Sequence, residues 1–253
     1  MPIVENINSN EKKVIIADVD DTICESCQLI SDEMAFEISR LVDAGFSFAF
    51  ISGTKSESLQ RMISSKLKKE HHILGTTGTN YTFVKNDNSV EVIYKYSLSD
   101  DEKKEIINAF DKLISNYNIQ SMTTKEDQVQ DRDSQITLSA IGRHASSEMK
   151  AVYDPDGKIR LEWIEFLKKH LDSEKYHMKI GGTTSVDITK KGFDKEWGIR
   201  KFAEHRGIDH SEIIFFGDKL HPGGNDFAAS KVVDCIAVNN PEDTLNKLKE
   251  FFN

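Results

Sequence analysis

The stretch Lys13–Cys27, KVIIADVDDTICESC, decides how the rest of the chain is read. Four apolar residues, Val14–Ala17, have the length and character of a buried strand. They run straight into Asp18, Asp20 and Asp21, then a Cys24-x-x-Cys27 pair. On a strand-like backbone, residues i and i+2 project to the same side, so Asp18 and Asp20 form a pair of carboxylates. Two such groups repel unless a cation or a proton intervenes. With a metal present, one is held as a bare anion and the other keeps a proton as general acid.

Working outward, three further apolar runs read as parallel strands: FSFAFI (Phe46–Ile51), IIFF (Ile213–Phe216) and CIAV (Cys235–Val238). Helical patterns alternate with them. One covers Asp32–Ala44, with Ser31 as N-cap and Gly45 as stop. A second follows Thr54, whose Glu57 would complete a capping box, a third covers Glu196–His205, and a fourth follows Pro241. The alternation predicts an α/β core with a Rossmann-like parallel sheet. The middle reads differently. Ser99 and Glu102 open an amphipathic helix, QITLSAIG and HMKIGGTTSVDIT alternate as half-buried antiparallel strands, and DPDG (Asp154–Gly157) is a turn before another helix. The expected organisation is a discontinuous core, residues 1–94 and 191–253, interrupted by an α+β insert over residues 95–190.

Composition narrows the function class. The 253 residues carry a net charge of -9, and no Lys/Arg-rich run is present, which argues against nucleic-acid binding. No apolar run approaches the length of a membrane span. The N-terminal MPIVENINSNEKK lacks the basic-then-apolar order of a secretion signal, so a cytoplasmic location is expected. Three cysteines, an odd and low count, fit a reducing compartment.

Each expected core strand ends in a polar residue: Asp18 and Asp20, then Ser52, then Asp218 after Gly217. In open parallel sheets, ligands bind beyond the carboxyl ends of the strands, so these groups can converge on one crevice. Asp18, Asp20 and Asp218 offer hard oxygen ligands suited to Mg2+. Ser52, with the N–H groups that follow it at Gly53, can hold phosphate oxygens near a helix N-terminus. Lys195 adds a cation. Together these are the parts of a phosphoryl-transfer site.

The order DVDDT, ISGT, DK and GDKLHPGGND resembles the haloacid dehalogenase-like phosphotransferase superfamily, from Val14 to the last helix. The resemblance implies that Asp18 is the nucleophile that becomes an aspartyl phosphate. Asp20 would be the general acid/base, its backbone carbonyl joining the metal shell. Ser52 and Lys195 would hold the phosphoryl group and Asp218 would ligate Mg2+. Asp226, with its neighbour Asn225, would support the metal shell or Lys195. The usual opening motif has Gly at the position of Asp21. The insert, with SQITLSAIGR and IGGTTSVDIT, is similar to the α+β cap of the phosphomannomutase-like branch.

A phosphatase and a mutase differ in what accepts the phosphoryl group: water, or a second sugar hydroxyl. A mutase needs a second anion site in the cap. The resemblance places phosphate-binding arginines at Arg132 and Arg143, and sugar-contacting residues at Ser185 and Asp187. It also places arginines where this chain has Cys27 and Lys150. The first reading is therefore a phosphatase of small phosphorylated metabolites, such as phosphosugars, with a phosphomannomutase as the alternative. A receiver-type signalling protein phosphorylated on Asp is weaker, because this chain is longer and carries a cap. Cys24 and Cys27 lack the further ligands that zinc needs, and a redox pair is the lesser reading. Relatives in the resembled branch often pair through their caps, so a homodimer is an open expectation.

Overall fold

The computed structural model describes residues 9–252. The chain divides into two compact units: residues up to Lys95 together with those from Phe193 onward, and Tyr96–Gly192.

The first unit opens with β1 (Val14–Ala17), α1 (Asp32–Asp43) and β2 (Ser47–Ile51). Ser31 caps α1, its Oγ accepting the Met34 N–H at 3.1 Å. The short α2 (Ser56–Leu59) runs into a π-helical turn, Gln60–Ser64. The expected capping box between Thr54 and Glu57 does not form: Lys55 is the N-cap, with no side-chain cap bond. Thr54 is used elsewhere, donating its N–H to Ser52 Oγ and accepting at its carbonyl from the Thr76 N–H. Then come β3 (His71–Gly75), β4 (Asn80–Val84) and β5 (Val90–Lys95).

The second unit contains α3 (Asp100–Tyr117), α4 (Lys125–Gln128), β6 (Val129–Asp131), β7 (Gln135–Ser139), α5 (Ser147–Tyr153), α6 (Lys158–Leu167), β8 (Tyr176–Gly181) and β9 (Ser185–Lys190). The Ser99–Glu102 capping box forms in full. The strands make an antiparallel sheet in the order β6-β7-β9-β8. Its odd and even positions part cleanly: Ile136, Leu138, Val186, Ile188 and Met178 join α3 and α6 in one apolar cluster. The other face is polar. One row across all four strands runs Gln130, Thr137, Asp187, Lys179.

The chain returns to the first unit through α7 (Lys195–Arg206), β10 (Ile213–Gly217), β11 (Asp234–Ala237) and α8 (Pro241–Phe251). The sheet has seven strands in the order β11-β10-β1-β2-β3-β4-β5, parallel except at β4 and β5. Ile15 and Ala17 of β1 pack with residues of α1 and α8, whereas Val14 and Ile16 pack with residues of α7. Both faces are covered, which is why β1 reads as a continuous apolar run rather than an alternation. The parallel-dominated sheet with helices on both faces is the Rossmann-like α/β core that the sequence leads one to expect, and the second unit is of the expected α+β kind. Among the described residues, no helix is long and apolar enough to cross a membrane.

Candidate active site

Because β1, β2 and β10 are adjacent and parallel, their carboxyl ends share one sheet edge. The ladder continues one step past each end: Asp18 N–H donates to Phe216 O at 2.9 Å, and Ser52 N–H to Leu74 O at 3.3 Å. That fixes the backbone from which the polar side chains project.

Lys195 is the first residue of α7. Asp194 caps this helix, accepting the Trp197 N–H at 3.0 Å. The helix is seated by a glycine contact. A Cβ on Gly198 would lie 2.3 Å from Thr77 O, and one on Gly78 would lie 2.5 Å from Gly198 Cα. Gly198 stands one helical turn beyond Lys195, so this close approach sets where the lysine enters the site. Thr77 N–H also donates to Ser52 O at 2.8 Å. The segment Thr76–Gly78 thus holds both the Ser52 loop and α7. Thr76 and Thr77 take positive φ angles of 48° and 59°, a strained choice for β-branched residues.

Lys195 Nζ donates to Asp18 Oδ1 at 2.5 Å and to Asp226 Oδ1. All three residues are buried: Asp18 is 3% exposed, Lys195 1% and Asp226 0%. Burial pushes the Asp18 carboxyl up to about 7, against the pull of the lysine. Burial alone would lower Lys195, but Asp18 and Asp226 hold it above the ordinary lysine range. One cation therefore faces two carboxylates in a dry setting, a balance that favours further positive charge. Asp226 spends its other oxygen on the Lys219 N–H at 3.0 Å, so it fastens the loop after β10 as well as Lys195.

Carboxylate oxygens of Asp18, Asp218 and Asp226 lie within 4.8 Å of one another. Asp218 Oδ1 is buried and accepts no hydrogen bond. Its Oδ2 accepts from Lys219 Nζ at 2.5 Å. Burial raises the Asp218 carboxyl, with Lys219 opposing. An orphaned buried oxygen beside two other carboxylates is a fit for a hard divalent cation such as Mg2+.

The carboxylate of Asp20 is not in this group. Its Oδ1 accepts the Cys27 N–H at 2.9 Å, in a tight loop where Asp21 and Cys27 both take positive φ, 64° and 62°. The Asp21 conformation is one that glycine adopts without cost, in keeping with the Gly usual there. Lys219 reaches toward this loop, 3.8 Å from Asp21. Cys24 is buried, with its thiol pushed by burial up to about 12, and Cys27 is exposed; both are free. Asn225 is exposed next to buried Asp226, and a Cβ at Gly53 would meet nothing within 4 Å.

In the second unit, Asp187 Oδ1 accepts from Thr137 Oγ1 at 2.8 Å. Ser185 and Asp187 lie on the polar face of β9. Arg132, in the β6–β7 turn, donates to Gln130 Oε1 at 2.9 Å on that same face. Arg143 follows β7, and its carbonyl accepts from Lys150 Nζ of α5. The sequence reading missed Lys219, Thr76–Gly78 and β3. Lys219 carried a usable signal, a lysine directly after the strand-end Asp218.

The model of the eukaryotic phosphomannomutase family matches residues 46–253. A phosphomannomutase 1 from Dictyostelium discoideum is 26% identical over 245 residues, covering 94% of this chain and 96% of that protein. A phosphomannomutase from Arabidopsis thaliana is 31% identical over 204 residues, 74% of this chain and 80% of its own length. Among solved structures, an N-terminal truncated Plasmodium falciparum IMP-nucleotidase superposes with TM-score 0.72 at 17% identity, covering 97% of this chain and 71% of that one. That likeness speaks for the fold alone.

Proposed function

We propose, from the premise that this chain belongs to the eukaryotic phosphomannomutase family, that it moves a phosphoryl group between the C1 and C6 oxygens of a hexose phosphate by way of Asp18. The comparisons favour this mutase alternative over the phosphatase that the substitutions at Cys27 and Lys150 first suggested. The observation that carries the reading is the buried Asp18 carboxylate, held by Lys195 beside the open oxygen of Asp218.

Asp18 attacks phosphorus, the bond from phosphorus to the sugar oxygen breaks, and Asp20 gives its proton to that leaving oxygen. Lys195 and Ser52, with the Gly53 N–H, bind the phosphoryl oxygens. In the return step Asp20 takes the proton of the incoming hydroxyl, which attacks the aspartyl phosphate and frees Asp18. Mg2+, held by Asp18 and Asp218 with the Asp20 carbonyl, would offset charge on the phosphoryl oxygens. Asp226 and the neighbouring Asn225 keep the loop after β10 and Lys195 in place. Arg132, Arg143 and Lys150 form the second anion site, while Ser185 and Asp187 receive sugar hydroxyls. Such chemistry on a small metabolite suits the cytoplasm.

Hydrolysis stays as the second reading because two expected arginines are replaced and Lys150 is turned onto a backbone carbonyl. Phosphorus NMR separates the two. With mannose 1-phosphate, a trace of glucose 1,6-bisphosphate and Mg2+, mannose 6-phosphate is the expected product. Inorganic phosphate as the sole product would replace the mutase reading with the phosphatase. In that case Cys27→Arg with Lys150→Arg should shift product toward the 6-phosphate.

A further inference from the structure

The second unit contains a buried ion pair that the proposed chemistry leaves unused. Arg160 of α6 is 4% exposed and Asp154 2%. Arg160 Nε donates to Asp154 Oδ2 at 2.7 Å, and Nη2 donates to the Asp154 carbonyl at 3.0 Å. Nη1 donates to the Gly181 carbonyl at 3.0 Å and the Gly182 carbonyl at 2.8 Å. Asp154 in turn accepts the Ile159 N–H at 3.1 Å and the Arg160 N–H at 3.2 Å. A single guanidinium therefore ties together the end of α5, the start of α6 and the turn from β8 to β9.

That turn carries the proposed sugar contacts. Gly181 pairs with Ser185 across the hairpin. A Cβ on Gly181 would lie 2.4 Å from Asp187 Oδ2 and 2.9 Å from Ser185 Oγ, so both side chains rest directly on the backbone that Arg160 grips. On the other side, α5 carries Lys150, whose ammonium meets the Arg143 carbonyl. A buried ion pair is weak as a device for stability alone, since desolvation offsets most of its attraction. The rigid fork of arginine is suited to holding two carbonyls and a carboxylate in fixed relation, which a lysine point charge does not do.

We infer that Arg160, oriented by Asp154, is a positioning residue that fixes the β8–β9 turn so that Ser185 and Asp187 stand ready to receive sugar hydroxyls. The inference rests on the reading that Ser185 and Asp187 bind the sugar. Arg160 touches no reacting atom and acts through the Gly181–Gly182 backbone.

The test is steady-state kinetics with mannose 1-phosphate. Arg160→Lys keeps a cation for Asp154 but loses the fork. KM should rise about tenfold, with kcat within about twofold, the pattern of lost ground-state binding. A partly unfolded preparation would instead lower apparent kcat and leave KM alone, so the split separates positioning from mere stability. Asp154→Asn, which keeps the shape and weakens the tie, should raise KM by a smaller factor, and it decides the matter by the same split if Arg160→Lys does not fold. Asp187→Ala is the control for the underlying reading. If Asp187→Ala raises KM while both Asp154→Asn and a folded Arg160→Lys leave it unchanged, the positioning role is overturned alone. If Asp187→Ala leaves KM unchanged, sugar recognition by β9 fails, and this inference fails with it.

Discussion

Lys195 in the first unit and Arg160 in the second are both buried cations facing aspartates, yet their surroundings differ in kind. Arg160 meets one carboxylate and three carbonyls, a set that takes four of the five N–H groups of its fork. Lys195 meets two carboxylates, Asp18 and Asp226, and lies near Asp218, whose Oδ1 has no partner. The first arrangement is closed and holds backbone. The second is left with excess negative charge and an unsatisfied oxygen, so it is completed only by something that binds. Burial is common to both, and completeness is what separates structure from chemistry.

The largest expected effect breaks the open arrangement. Lys195→Met leaves Asp18 and Asp226 facing each other without their cation. We expect kcat to fall about 10³-fold, and stability to drop by about 3–5 kcal/mol in EDTA near neutral pH. Addition of Mg2+ should recover part of the stability and little of the activity. Urea denaturation with and without Mg2+, beside steady-state rates, checks both. Full activity in Lys195→Met would erase the contrast with Arg160→Lys, for which only KM should move.

A smaller effect sharpens the comparison through pH. His71 and His72 of β3 are buried in a closed setting. His71 lies 2.8 Å from Ser64 Oγ and 2.7 Å from Lys69 O, and His72 Nδ1 lies 2.9 Å from the Tyr81 hydroxyl. Burial lowers His71 to about 4 and His72 to about 3. The unfolded chain therefore takes up protons below about pH 6.5 that the native chain refuses, and stability falls as pH drops through that window. Each histidine contributes up to about 1.4 kcal/mol per pH unit there. Asp18 acts in the opposite direction. Its native value near 7 lies above the unfolded one, so it adds stability in acid that is lost as pH rises through about 7. In EDTA, Asp18→Asn removes this opposing contribution, and its stability should fall more steeply than the wild type between about pH 6.5 and 4.5. Equal slopes in the two proteins would contradict the buried, perturbed Asp18.

Much of this was legible in the sequence because the core strands are short apolar runs that end in chemistry-bearing residues. Val14–Ala17 with Asp18 and Ile213–Phe216 with Asp218 needed no tertiary information. The Ser99 capping box and the antiparallel pair around IGGTTSVDIT were equally local. What escaped was decided by packing. In β3 the first two residues are histidines, polar by type but made neutral and buried by their neighbours, so no apolar run announces the strand. In β5, Val90 and Val92 are exposed on an edge, and their alternation carries no core signal. The Thr54–Glu57 capping box was a reasonable local reading, overridden when Thr54 joined the Ser52 loop. Asp226 appeared only as a support residue, although its carboxylate lies with those of Asp18 and Asp218 in one cluster whose oxygens are within 4.8 Å of one another. Arg160 lay inside an ordinary helical segment, and nothing in the sequence distinguished it from a surface cation.

The most direct test of the account asks whether Asp18 carries the phosphoryl group. The protein would be mixed with glucose 1,6-bisphosphate and Mg2+, quenched in acid, digested and mapped by mass spectrometry. The account predicts a phosphoryl adduct on the peptide that contains Asp18, absent from Asp18→Asn. An adduct on another residue, or turnover without Asp18, would contradict it.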